Sequence, residues 1–303
     1  MIAIFNFLIF PGFLFACIVG LFACWIDRKI SARLQWRVGP PWYQTFIDIV
    51  KLTGKEVIVP NGAKVTFLLA PYLGLISIVL VANNLGRAIL SPLSSFSGDL
   101  IVIIYLLIIP ALALIVGASA SRNPLASVGA SREMKLILAY ELPFLLAIIA
   151  VIIRNKGALG IGSILINQAF TVSNIFSPSG IISFFIMLFC VQAKLGIAPF
   201  DISECDQELM GGTLIEYSGL PLAIYKLTKA TMLYTLPIFL IILFLGKDLS
   251  FLFISIKYLS ILLVIILIKN TNPRLRIDQA MRFFWRIPTV LGIIAIALAL
   301  FGL

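Results

Sequence analysis

The chain has 303 residues, 61% of them hydrophobic and only 12% charged, with a mean hydropathy of +1.11. A soluble domain carries about a quarter charged residues, so this composition excludes an ordinary globular enzyme and predicts an all-α, polytopic membrane protein. The net charge of +10 reads as basic loops held on one side of a membrane rather than as a nucleic-acid surface.

Apolar runs predict about eight transmembrane helices, at roughly 2–26, 65–85, 99–118, 134–153, 181–198, 217–245, 251–269 and 288–303. The first run lacks a basic leader and a small-residue cleavage site, so it reads as a retained helix. Between the fourth and fifth spans, 159–176 mixes apolar residues with Gly, Asn and Ser, as expected of an amphipathic helix at the outer surface. The whole chain, 1–303, is a single membrane domain with connections at 27–64, 119–133, 199–216 and 270–287 on one side. An even number of spans puts both termini on the same side. The connections on one side carry Arg28, Lys29, Arg33, Arg37, Lys51, Lys55, Lys64, Arg122, Arg132, Lys135, Lys194, Lys269, Arg274, Arg276, Arg282 and Arg286. Those on the other carry only Arg87, Arg154, Lys156 and Lys247. The first set is therefore cytoplasmic and both termini are non-cytoplasmic. No soluble domain fits into these connections, so the chain is expected to work with partner subunits.

Histidine is absent, which removes the usual haem and zinc ligand and the ordinary proton shuttle. The cysteines, Cys17, Cys24, Cys190 and Cys205, form no CxxC pair. An iron–sulfur cluster or structural zinc on this chain is not expected.

Ionisable residues inside apolar spans cost several kcal/mol unless paired or hydrated, so each is a functional candidate. Glu141 stands about ten residues into the fourth span, with Glu133 two turns earlier on nearly the same face, about 12 Å away. The two carboxylates suggest stations of a proton path. Lys226 and Lys229 share one face of the sixth span and are expected near mid-membrane, about 14 to 18 Å along it. The segment "APFDISECDQELMGGTLIEYSG" at 198–219 gathers Asp201, Glu204, Asp206, Glu208 and Glu216, with no Lys or Arg between Lys194 and Lys226. A helical turn would align Asp201, Glu204 and Glu208 and leave Asp206 pointing elsewhere. Such a cluster suits a shared proton pool, a divalent cation or a docking loop for a basic partner.

Four stretches in order carry a resemblance: "DRKISARLQWRVGPPWYQTFIDIVKLTGKE", "GASREMKLILAYELP", "APFDISECDQELMGGTLIEYSG" and "PRLRIDQAMRFFWRIP". They resemble the cytoplasmic-side motifs of the membrane subunit that anchors the peripheral arm of respiratory complex I (the H-type subunit, or mitochondrial subunit 1). They are more similar still to the corresponding subunit of energy-converting membrane-bound [NiFe] hydrogenases and related ferredoxin-linked complexes. Gly39-Pro40 running directly into "PWYQTFID", Ile197 before "APFD" and Lys229 in the sixth span depart from the quinone-reducing pattern. "GASRE" at 129–133 and "ELMGG" at 208–212 lean toward the hydrogenase branch.

The resemblance implies a non-catalytic subunit of the cell membrane that couples redox chemistry on partner chains to proton or sodium translocation. Its motifs imply a proton path through Glu141, Asp201, Glu204, Asp206, Glu208 and Glu216, to which the span positions of Glu133, Lys226 and Lys229 add three further candidates. Arg28, Arg33 and Arg37, with Arg276 and Asp278 of the "RxDQ" motif, would dock the peripheral subunits. Implied partners are hydrogenase-like large and small subunits, an iron–sulfur subunit and antiporter-like membrane subunits, with ferredoxin as donor. Iron–sulfur clusters and a nickel–iron centre would reside on those partners, with no cofactor or metal on this chain. The alternatives open at this level are a quinone-binding subunit of a complex I-like oxidoreductase, a stand-alone secondary transporter and a purely structural anchor.

Overall fold

The computed structural model describes residues 7–60, 64–96 and 98–302, and among these there is no strand. Among the described residues, ten helices of ten residues or more follow one another: α1 (Phe13–Leu34), α2 (Gln44–Thr53), α3 (Lys64–Leu90), α4 (Asp99–Ala120), α5 (Pro124–Arg154), α6 (Ile161–Phe170), α7 (Pro178–Lys194), α8 (Gly219–Phe244), α9 (Phe251–Thr271) and α10 (Ile277–Leu300). Six of them (α3, α4, α5, α8, α9 and α10) are long and apolar enough to cross a membrane. α1 and the 17-residue α7 occupy the other two predicted spans.

The predicted spans and the observed helices differ at their ends. α1 begins at Phe13 but continues through Asp27, Arg28 and Lys29 to Leu34, and residues 2–6 of the predicted span lie outside the described residues. α5 starts at Pro124, ten residues before its predicted span, with Asn123 Oδ1 accepting from Leu125 N as its N-cap. At 31 residues α5 is about 46 Å long, longer than the ~30 Å hydrocarbon layer. Its first turns therefore project beyond that layer. α10 likewise begins at Ile277, absorbing most of the connection expected at 270–287. An apolar run ends at the first charge, whereas a helical backbone continues as long as its hydrogen bonds are made.

The bundle is organised around α8, which is buried along nearly its whole length from Ala230 to Phe244. A helix apolar on all sides belongs at such a centre. α1, α3, α7 and α9 pack against it. Gly20 makes the α1–α8 crossing possible, since a Cβ there would lie 2.4 Å from the Ala230 carbonyl oxygen. The outer helices have two apolar faces. On α4, Leu100, Ile103, Leu107 and Ala111 are buried, while Ile101, Val102, Tyr105 and Leu112 are exposed. Apolar side chains turned outward on every peripheral helix suit a lipid solvent, and the chain is a multi-pass membrane protein.

The predicted surface helix at 159–176 is α6 followed by the turn Asn174–Phe176. It does more than lie at the surface, because it closes the end of α8. The buried Gln168 donates through Nε2 to the carbonyls of Ile242 and Leu243 at 2.9 and 3.1 Å and accepts from Gly246 N at 2.8 Å. Asn174 donates to Leu243 O at 2.7 Å. These amides satisfy carbonyls that a helix C-terminus leaves unpaired. Gln168→Leu is expected to destabilise the bundle by roughly 2–4 kcal/mol, since several buried backbone groups lose partners together. Thermal unfolding in detergent and faster hydrogen exchange at Gly246 read this out; unchanged exchange there would show that water replaces the amide.

Candidate functional site

The acidic segment closes the end of the bundle opposite α6. It leaves α7 at Lys194, turns through Gly196 at φ +59° and is anchored by the buried Phe200, whose ring lies 4.8 Å from that of Phe284 in α10. Leu275 N donates to Pro199 O at 3.0 Å, tying the segment to the start of α10. At its far end the Tyr217 ring stacks on Phe67 of α3 at 4.1 Å, and Tyr217 Oη donates to Phe67 O. Ser218 Oγ accepts from Ile58 N and donates to Glu56 O, fixing the connection between α2 and α3.

Residues 201–205 are not helical; Asp206–Leu209 forms a single α-helical turn and Gly212–Leu214 a 3-10 turn. The expected alignment of Asp201, Glu204 and Glu208 on one face is therefore not formed. Each carboxylate instead meets a cation from a different helix or its approach. Asp201 Oδ2 accepts from Arg274 Nη2 at 3.1 Å, Glu208 Oε2 accepts from Arg132 Nη1 at 2.6 Å, and Glu204 pairs with Lys229. Glu216 accepts from Asn123 Nδ2 at 2.6 Å. The side chain of Asp206 lies outside the described residues. A run without basic residues in sequence is thus neutralised in space by α5, α8 and the α9–α10 connection.

Deeper in the bundle stands a fourth ion pair, which sequence reading did not make. Lys194 Nζ lies 2.8 Å from Glu141 Oε2, with the lysine side chain 1% and the glutamate 17% exposed. The ammonium also sits over the rings of Phe144 at 4.3 Å and Tyr140 at 4.9 Å. The other carboxylate oxygen, Oε1, is buried without a hydrogen-bond partner. Lys194 ends an apolar run, where a lysine ordinarily reaches for water, and this position concealed its role.

Glu133 joins the two levels. It is 5% exposed, accepts a hydrogen bond from Ser203 and has Glu204, Lys229 and Asp201 as its charged neighbours. Glu133, Lys194, Glu204 and Lys229 line one cavity of about 20 Å³. That volume holds about one water, and the site has the polar partners a water needs. Four ionisable groups from α5, α7, α8 and the acidic segment thus meet in one place, with Glu141 one contact further.

Lys226 is not part of this arrangement. It is exposed and faces the region of Asp48 in the surface helix α2, instead of sharing a buried face with Lys229. Asp48 is also bound by Arg28 Nη1 at 2.9 Å and Gln44 Nε2 at 3.1 Å. Slight burial acts to raise its pKa, but these hydrogen bonds hold it below the usual carboxylate value. Arg28 therefore ties α1 to α2, while Arg33 and Arg37 are exposed and make no ion pair among the described residues. Arg276 and Asp278 are exposed at the start of α10, where they border a pocket of about 260 Å³ with Arg132, Asp201, Glu208 and Arg274.

Comparison with known proteins covers nearly the whole chain. The family described as NADH dehydrogenase matches residues 7–300. The H-type subunit of NADH-quinone oxidoreductase from Flavobacterium psychrophilum is 28% identical, over 94% of this chain and 92% of its own. The same subunit of Syntrophotalea carbinolica is 31% identical, over 89% and 87%. Among solved structures, a chain of the membrane-bound sulfane sulfur reductase, an archaeal respiratory membrane complex, matches with a TM-score of 0.85. Its identity is 30%, over 94% of this chain and 96% of that one. The chain belongs to the NADH dehydrogenase family, as a membrane subunit of the H type found in complex I-like respiratory oxidoreductases.

Proposed function

We propose that this chain is the membrane anchor and ion-pathway subunit of a ferredoxin-linked energy-converting complex, of the membrane-bound hydrogenase type or the related sulfur-reducing type. The observation that carries this reading is the set of ionisable groups gathered at one cavity, Glu204 with Lys229, the buried Glu133 and the buried Lys194, with Glu141 paired to Lys194. The likeness to a chain of the sulfane sulfur reductase complex supports the respiratory setting. In this reading the loop-rich end is cytoplasmic and the complex sits in the cell membrane. Hydrogenase-like and iron–sulfur subunits carry the metal centres and dock over Arg33, Arg37, Arg276 and Asp278.

The chemistry asked of this chain is proton movement coupled to charge. A redox event in the docked module changes the field at the Asp201–Arg274 and Glu208–Arg132 pairs, which share a rim. A shift of the segment there bears on Glu204, which lies between the two acids in sequence, and weakens its hold on Lys229. Lys229, Glu133 and the cavity, which has room for about one water, then offer a proton a route to the Lys194–Glu141 pair. Glu141 borders an exposed apolar face of α5 made by Leu138, Leu142 and Leu145. An antiporter-like neighbour seated on that face would receive the charge. Asp206, Glu216 and Lys226 are left as groups that tune the field at the entrance.

Glu204→Gln is expected to leave the complex assembled and electron transfer from reduced ferredoxin largely intact. It should lower ion movement per electron at least roughly tenfold, the scale of losing one positioned proton-transfer group. Gradient formation and acceptor reduction measured in the same inverted vesicles test this. Parallel losses of assembly and gradient would make the segment a scaffold. A second reading, a quinone-binding subunit, draws on the relatives named NADH-quinone oxidoreductase; turnover of the purified complex with a quinone would select it.

A further inference from the structure

At the loop-rich end α1 and α9 are clasped by polar groups. Lys269 Nζ lies 2.7 Å from Asp27 Oδ2, and Asn270 Nδ2 donates to Ser31 Oγ at 3.0 Å. Toward the opposite end a cleft of about 570 Å³ opens between α1, α3, α8 and α9. Its walls include Phe15 and Val19 of α1, Ile89 of α3, Ile238 of α8, and Ile254 and Leu259 of α9. Sites of roughly 300–1,000 Å³ hold drug-sized apolar molecules, and in a bilayer the available filler is hydrocarbon.

Charge indicates which hydrocarbon. The connections at this end hold only four basic residues, and two of them stand beside the cleft. Arg87 lies between the lining residues Gly86 and Ile89, and Lys247 lies two residues before the lining residue Leu249. Both are exposed, and neither makes an ion pair among the described residues. Lys257, next to the lining residue Tyr258, is committed elsewhere: its Nζ donates to the carbonyls of Leu245, Lys247 and Asp248 at the end of α8. Asp248 is the acid nearest this rim in sequence, so the rim is net positive.

We propose that this cleft binds one anionic phospholipid, an acyl chain lying against Val19, Ile238 and Leu259 and the phosphate held by Arg87 and Lys247. The lipid fills the space that the clasp at the other end leaves open and fixes α9 against the bundle. Basic side chains draw anionic lipids through salt-screened attraction, and the buried chain adds to this with each methylene.

The test uses the intact complex in nanodiscs of mixed phosphatidylglycerol and phosphatidylcholine, analysed by native mass spectrometry and electron cryo-microscopy. Phosphatidylglycerol should be retained in the cleft in preference to phosphatidylcholine. The double variant Arg87→Gln/Lys247→Gln should bind it about tenfold more weakly. Ser255→Phe, which fills the cleft and keeps both charges, should displace it. Equal retention of the two lipids, retention unchanged in either variant, an empty cleft, or a partner's helix seated in it would each overturn the proposal.

Discussion

Lys194→Met is expected to destabilise the bundle by roughly 3–5 kcal/mol and to abolish coupled ion movement. Breaking one half of a buried ion pair is costly because the remaining charge keeps its desolvation penalty without its partner. Here that remaining group is Glu141, whose Oε1 already lacks a hydrogen bond and whose Oε2 would lose the one it has. Glu141→Gln should be milder, near 1–3 kcal/mol, because an amide oxygen still accepts from the ammonium. Removing both charges, as Lys194→Met with Glu141→Leu, should return most of the stability, since a buried pair exchanged for apolar side chains is often neutral or better. It should not return ion movement. Thermal unfolding of the purified complex and gradient formation in proteoliposomes separate these outcomes. A double variant that regains transport along with stability would reduce the pair to a strut between α5 and α7.

The order and approximate positions of the apolar helices were legible because each is an apolar run bounded by charge or glycine, and six of the eight predicted spans are helices long and apolar enough to cross a membrane. Glu141 was legible for the same reason, as a carboxylate where none is expected. Its partner was not, because the sequence separation of 53 between Glu141 and Lys194 is bridged only when α5 packs on α7. The acidic segment misled in a related way. Spacings of three and four are those of a helix, yet Phe200, Arg274, Lys229 and Arg132 pull successive residues toward different helices. Lys226 and Lys229 show the limit of periodicity. Three residues apart on a helix means about 60° of rotation, and here the edge of the packed interior runs between them, leaving one on the surface beside α2 and the other at the buried cavity.

Gly212→Ala should uncouple the acidic segment from the buried pair more thoroughly than neutralising any single carboxylate of the segment. Met210, Gly211 and Gly212 all have positive φ, at 51°, 93° and 51°, so the chain reverses sharply after Glu208. A Cβ on Gly212 would lie 1.9 Å from the Ser203 carbonyl oxygen and 3.4 Å from Glu204 Cα. From the other side a Cβ on Gly129 of α5 would lie 3.0 Å from the same oxygen. Ser203 is thus held between two glycines, so a methyl at 212 has to displace it. Ser203 donates to Glu133 and the next residue pairs with Lys229, so both links into the cavity move together. The clash and the left-handed conformation together are expected to cost roughly 2–4 kcal/mol. Gly157→Ala provides the comparison: its φ is +79°, but nothing lies within 4 Å of its Cβ. That variant carries backbone strain alone, of about 1 kcal/mol, and should transport ions normally. If Gly212→Ala matches Gly157→Ala in ions moved per electron, the path does not run through Ser203 and Glu204.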